Sequence, residues 1–212
     1  MGCWALSLAL GCGGASKSGG EGPGGAPDPG DSSSTGNGGR PQHPPPAQGA
    51  FIVTLSTSDA SGKTCPSGAS STFDVPPVLA TSPAEKLSST SYQHWVADGD
   101  GDSRVACRVQ GGSSFAFSGR LERGVEILDI TEGVVDGARA GSARITVADG
   151  TRLSNALASP GADCVVEVVT TSSGPQIKNG SMWATFSCAS LEHAPSDACA
   201  AAGTFVLENC EP

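Results

Sequence analysis

The sequence predicts an all-β protein, an antiparallel β-sandwich of about eight or nine short strands, stabilised by disulfides. Three observations predict it. After Ala50, short runs rich in Val, Ile, Phe and Thr recur, and several alternate apolar with polar residues. Gly, Pro, Asn and Asp separate these runs at short intervals. Six of the eight cysteines fall in the same region. No internal repeat is visible, and a sandwich fits better than a barrel.

The strands are read in order. Phe51-Ile52-Val53-Thr54-Leu55 is apolar and β-branched, and turn material follows around Cys65. Asp74 to Pro83 holds three prolines and reads as loop or irregular edge. Tyr92 to Ala97 and Val105 to Val109 flank Asp98-Gly99-Asp100-Gly101-Asp102, as in a hairpin with a longer loop. Phe115, Phe117, Gly119 and Leu121 alternate with polar and small residues, the pattern of a half-buried strand. Val125 to Ile130 and Ala143 to Val147 continue the series. Arg152 to Leu157 reads as one helical turn. Cys164 to Thr170 is Val-rich enough for burial on both faces. Asn179-Gly180 is the best tight-turn signal. Ser181 to Cys188 and Thr204 to Cys210 are the last two strands, with a short helix expected over Ser196 to Ala202 in the loop between them.

The residues before Ala50 are of another kind. A short apolar run ends in Leu8-Ala9-Leu10-Gly11-Cys12, and a Gly/Ser/Pro tract follows. This resembles the lipobox of bacterial lipoproteins. The resemblance implies a signal peptide over 1–11, cleavage after Gly11 and a lipid on the Cys12 thiol. Membrane attachment through that lipid would place the chain in the bacterial cell envelope. Gly13 stands where Asp favours retention in the inner membrane, so the outer membrane is favoured. The signal lacks the usual early Lys or Arg, which a start codon upstream of Met1 would supply. Met1-Gly2-Cys3 also imitates a myristoylation signal, but Leu6 stands where Ser or Thr is needed. Residues 12–49 form the lipidated Cys and tether: from Gly13 to Gly49 there are twelve Gly and seven Pro. With few apolar residues to offset ordering entropy, the tether is predicted to be disordered, with a mean span of roughly 30–37 Å. Residues 50–212 are the domain.

Charge narrows the partners. The formal net charge is −9, and the domain holds ten Lys and Arg against eighteen Asp and Glu. An acidic surface disfavours nucleic acid, which is bound through clustered Lys and Arg. The remaining partner class is an envelope protein or glycan.

Cys65, Cys107, Cys164, Cys188, Cys199 and Cys210 are even in number, widely spaced and free of Cys-x-x-Cys pairs. In an exported chain they read as three disulfides rather than a metal site, so no cofactor is expected. If the last two strands pair as antiparallel neighbours, Cys188 and Cys210 lie at opposite ends. They would be roughly 20 Å apart, too far for a bond. Cys199 is then expected to bond Cys164 or Cys188, and not Cys210.

Candidate chemistry is thin. Asp98, Asp100 and Asp102 have the early spacing of a calcium loop, but Ser103 and Val109 stand where Gly and Glu are required. Weak calcium binding is the most they offer. Gly62-Lys63-Thr64 lacks the first Gly of a phosphate loop, and Gly111 to Phe115 lacks the second Gly of a nucleophile elbow. Asn179-Gly180-Ser181 is a formal glycosylation sequon that turn formation already explains. A small secreted hydrolase would have to use His94, on a strand face, or His193, beside Glu192 and near Asp197. No Ser or Cys can be tied to either, so no catalytic residue is assigned. Trp95 and Trp183 are expected in the core. The sequence thus favours a binding or structural module over an enzyme.

Overall fold

Alternation in the sequence becomes strand in the structure. The computed structural model describes residues 44–66, 71–75, 96–137, 139–151, 153–194 and 197–212. The strands, in order, are β1 (Gln48–Leu55), β2 (Ser71–Val75), β3 (Val96–Ala97), β4 (Ser103–Gly111), β5 (Ser114–Arg123) and β6 (Glu126–Asp136). They continue as β7 (Ala140–Asp149), β8 (Leu157–Ala158), β9 (Cys164–Val168), β10 (Thr170–Thr171), β11 (Gly174–Pro175), β12 (Ile177–Lys178), β13 (Ser181–Ala194) and β14 (Asp197–Glu208). No helix occurs among the described residues. The fold is all-β and disulfide-stabilised, as the sequence predicts, with several strands longer than expected.

Neighbouring strands follow the order β2-β1-β14-β13-β8-β7-β6-β5-β4, and β9 bridges β13 and β7. This continuous sheet folds over so that β5 lies on β1 and β14, in the manner of a sandwich. The Phe117 ring of β5 stacks on Phe205 of β14, with centroids 6.2 Å apart. Glycines permit the close approach. A Cβ on Gly119 would come within 2.9 Å of Leu207, and one on Gly49 within 2.4 Å of Leu121. Between the layers, Leu121, Leu128, Ile130, Ile145, Leu191 and Leu207 are fully buried. Each such side chain contributes roughly 1.5–3 kcal/mol relative to exposure.

Several expectations need correction. β3 does not form a hairpin with β4; its hydrogen-bonded partner is β1, through Val96 and Gly49. The Asp98–Asp102 turn therefore carries the chain from one layer to the other. Of the stretch 74–83, expected as loop or irregular edge, Asp74 and Val75 belong to β2, the edge strand beside β1, and residues 76–83 lie outside the described residues. Cys164 to Thr170 is not buried on both faces. Its pattern alternates, with Val165 exposed, because none of the described residues covers the outer face of β9. Residues 153–157 form no helical turn but lead into β8, whose Leu157 pairs with Val147. The helix expected over 196–202 is likewise overturned, since Asp197 onward belongs to β14. There Ala198 and Cys199 pair with Glu192 and Leu191 of β13. Inter-strand hydrogen bonds and burial override the modest helical preference of an Ala-rich run.

The pairing of β13 with β14 is as expected, with Met182 opposite Leu207 and Cys188 opposite Ala201. The disulfides are Cys65–Cys199, Cys107–Cys210 and Cys164–Cys188. Cys188 and Cys210 are indeed unbonded to one another. Cys199, however, bonds Cys65 rather than Cys164 or Cys188. β14 extends back to Asp197, so Cys199 lies within the sheet, and the chain around Thr64 bridges to Asp197 alongside it.

Candidate functional site

A polar cluster surrounds Asp59, in the loop 56–66 between β1 and β2. Asp59 is nearly buried, at 8% exposure. Its Oδ1 accepts from the backbone N–H of Ser61 (2.9 Å) and Lys63 (2.8 Å), an Asx-type closure of the loop. The Ser61 hydroxyl reaches both carboxylate oxygens, and the Ser190 hydroxyl of β13 donates to Oδ2 at 3.2 Å. Burial opposes the charge, yet donors from Ser61, the Lys63 backbone and Ser190 outweigh it and hold the carboxyl below its usual range. Lys63 Nζ pairs with Glu192 Oε1 at 2.8 Å. That bond raises the ammonium's pKa against an opposing desolvation, with further help from the charges of Glu192 and Asp59.

This network fastens the loop. Lys63 is held protonated, the wrong state for a general base, and Ser190 spends its hydrogen on a carboxylate. The network joins loop 56–66 to β13 beside the Cys65–Cys199 bond. His193 projects from β13 into solvent, and Glu192, which was to orient it, is turned to Lys63. His193 has no hydrogen-bond partner among the described residues. His94 and Trp95 lie outside the described residues, as do Cys12 and the lipobox. Trp183 is not in the core: it is half-buried on the outer face of β13, between the inward Met182 and Ala184.

Asp98, Asp100 and Asp102 do not gather as ligands, and among the described residues no group of carboxylates, histidines or cysteines could hold a metal ion. Asp98 instead has a structural task that sequence reasoning missed. Its Oδ1 accepts from the backbone N–H of Val105 (3.0 Å), on the open side of β4. Asn179 does the same for Gly111 N–H at 2.9 Å. Between them, Val109 N–H donates to Glu211 and Glu211 N–H donates to the Cys107 carbonyl. Two side chains and a strap of backbone thus cover the edge of the sheet, which would otherwise invite pairing with another chain.

The outer face of β4, β5 and β6 is concave. β5 directs the short Ala116 and Ser118 outward, while β4 contributes Arg108 and Gln110 and β6 contributes Glu132 and Val134. Both ladders of β6 shift register at one place, opposite Phe117–Gly119 of β5 and between Thr131 and Val134, where β6 carries one extra residue as a bulge. In it, Glu132 takes φ +53°, a left-handed conformation costing a non-glycine about 1 kcal/mol. Gly133 is required beside it, since a Cβ there would lie 2.6 Å from the Phe117 ring. A hollow of about 420 Å³ lies over the bulge, and a second of about 810 Å³, walled by Pro44–Ala47 and Asn209–Pro212, adjoins it and shares Arg108 and Ser118. Bulges that re-aim side chains are common near functional sites. No family model matches this chain, and no curated protein or solved structure matches it.

Proposed function

We propose that the protein is an exported, lipid-anchored envelope protein whose β domain serves as a binding or structural module. The observation that carries this reading is the use of cysteine. All six cysteines of the domain are joined as disulfides. Such bonds persist in oxidising compartments and not in a reducing cytosol. The pairing takes up every domain thiol, and leaves Cys12 as the first cysteine past the apolar run and beyond the disulfide set. A thiol in that position, before a Gly/Pro-rich tether, suits acylation. Gly13 favours delivery to the outer membrane. One acyl chain holds a protein to a bilayer only marginally, so stable attachment requires several, as in the family the signal resembles. The polar network at Asp59 supports a binding or structural role, because it turns Glu192, the residue that would orient His193, to Lys63.

Intact-mass measurement of the mature protein, with detergent partitioning, tests the anchor. A Cys12 carrying acyl chains is expected, with release of the protein in Cys12→Ser. An unmodified Cys12 in the mature chain would overturn it.

A further inference from the structure

We infer that Cys107–Cys210 is a redox latch: a dithiol entering the larger hollow reduces this bond selectively, and the strap over β4 then leaves the edge of the sheet. The three disulfides differ in what can reach them. Cys107 and Cys210 are 9% and 7% exposed, and both line the hollow of about 810 Å³ between Pro44–Ala47 and Asn209–Pro212. Cys65, Cys164, Cys188 and Cys199 are at most 3% exposed, and line neither this hollow nor the one over the bulge. Exchange requires direct contact between the attacking thiolate and a disulfide sulfur, so access sets the order of reduction. The bonds Cys65–Cys199 and Cys164–Cys188 are reached only when the sheet opens.

Breaking this bond removes the buried anchor of the strap. Within residues 209–212 only Cys210 is buried, while Asn209, Glu211 and Pro212 are exposed. The strap's hydrogen bonds are few. Cys210 N–H donates to the Gly180 carbonyl, Glu211 N–H to the Cys107 carbonyl, Val109 N–H to the Glu211 carbonyl, and Asn209 Nδ2 to the Pro46 carbonyl. Each such bond contributes little net stability, because water can take the place of either partner. β4 itself keeps its full ladder to β5, with Val105 and Val109 in the core. Release therefore bares the edge at Cys107 and Val109 without dismantling the sheet. An edge so bared is open to pairing with another strand.

The step balances with a dithiol as reductant. One of its sulfurs, as thiolate, attacks one sulfur of the bond, and the other cysteine leaves as thiolate and takes up a proton. The dithiol's second sulfur then displaces the first from the mixed disulfide. That closes an S–S bond within the reductant and frees the remaining cysteine as a thiol. Two electrons and two protons pass to the protein, and the dithiol is oxidised. Charge selects among reductants. Asp98, Asp129 and Glu211 outnumber Arg108 and Arg120 around the hollow, so it repels an anionic thiol and admits a neutral or cationic one.

Timed reduction of the folded, oxidised full chain tests the latch. Free thiols are blocked first, dithiothreitol is added, samples are quenched by alkylation, and peptide masses identify the cysteines released. Cys107 and Cys210 should be released together, about tenfold or more faster than the other four. At equal thiolate concentration, cysteamine should attack this bond faster than mercaptopropionate does. Amide exchange in the partly reduced protein should quicken at Val109, which Glu211 holds, and stay slow at Val105, which Asp98 holds. Equal rates at all three bonds, earlier loss of another bond, or faster attack by mercaptopropionate would each overturn the inference. So would a Val109 N–H still protected after reduction, or protection lost at Val105 as well, which would mean that β4 unfolds. The mass of Cys12 is read separately, so failure here leaves the envelope reading standing.

Discussion

Asp59 holds its loop by accepting from two backbone N–H groups and two hydroxyls, and Lys63 closes the same loop onto Glu192. The direction of each pKa shift sets when this clamp acts. The Asp59 carboxyl titrates below its usual value, so its contribution is complete above about pH 4 and is lost as pH falls through the folded value. Lys63 titrates above its usual value, so its contribution is complete below about pH 10 and is lost as pH rises through the folded value. Asp59→Ala should therefore lower the melting temperature at pH 7. The gap from the parent protein should narrow as pH falls below the ordinary Asp range. Thermal unfolding between pH 2 and 7 measures this; a gap that stays constant to the lowest pH at which both proteins fold would contradict it. In the sequence Asp59 looked like turn material, because its partner Ser190 lies 131 residues away.

At the scale of the strand, the inward faces were legible. Val105, Cys107 and Val109 alternate with Arg104, Ala106 and Arg108 in the sequence, and the former are the buried set. Lateral order was not legible, since periodicity says which face a residue takes and nothing about which strand lies beside it. That is why the sequence suggests a hairpin of β3 with β4, whereas β3 pairs with β1. The Ala-rich start of β14 suggests a helix for a related reason: small residues suit a helix locally, and only the presence of β13 makes them strand. The same blindness hid Asp98 and Asn179, which looked like a metal ligand and a turn former. Their removal should open the β4 edge. Asn179→Ala and Asp98→Ala should each cost on the order of 1 kcal/mol, the net worth of one hydrogen bond. Hydrogen exchange should quicken at Gly111 in the first and at Val105 in the second. Unchanged protection at both amides would mean the side chains do not seal the edge. Asn179-Gly180 is also chemically fragile in outline, because the Gly180 nitrogen must attack the Asn side chain for deamidation. In the fold that N–H donates to the Val109 carbonyl at 2.9 Å, which opposes the attack.

Across the whole molecule the three disulfides divide the work unequally. Cys164–Cys188 joins near neighbours in one sheet: Val165 pairs with Ser187, so the two cysteines stand opposite on β9 and β13. It closes 24 residues of sequence. The other two span 134 and 103 residues and interleave, because Cys107 lies inside the first closure and Cys210 beyond its end. On the chain-entropy account, a closure of the shorter kind contributes roughly 3 kcal/mol and one near a hundred residues about 4.7 kcal/mol. Interleaving lowers the second figure, since Cys65–Cys199 already brings the ends of the Cys107–Cys210 loop closer. Cys107–Cys210 nonetheless has a further effect. It holds the strap in which Glu211 bonds to Cys107 and Val109, and so keeps β4, at one end of the strand order, joined to the chain leaving β14. Replacing Cys107 and Cys210 by Ser should therefore destabilise the protein more than replacing Cys164 and Cys188. It should also speed exchange at Val109 N–H, which the second pair of substitutions should leave protected. Urea unfolding of the two double variants, with amide exchange, measures both effects. Equal losses of stability, with Val109 protected in each, would show that the strap stays closed without its disulfide.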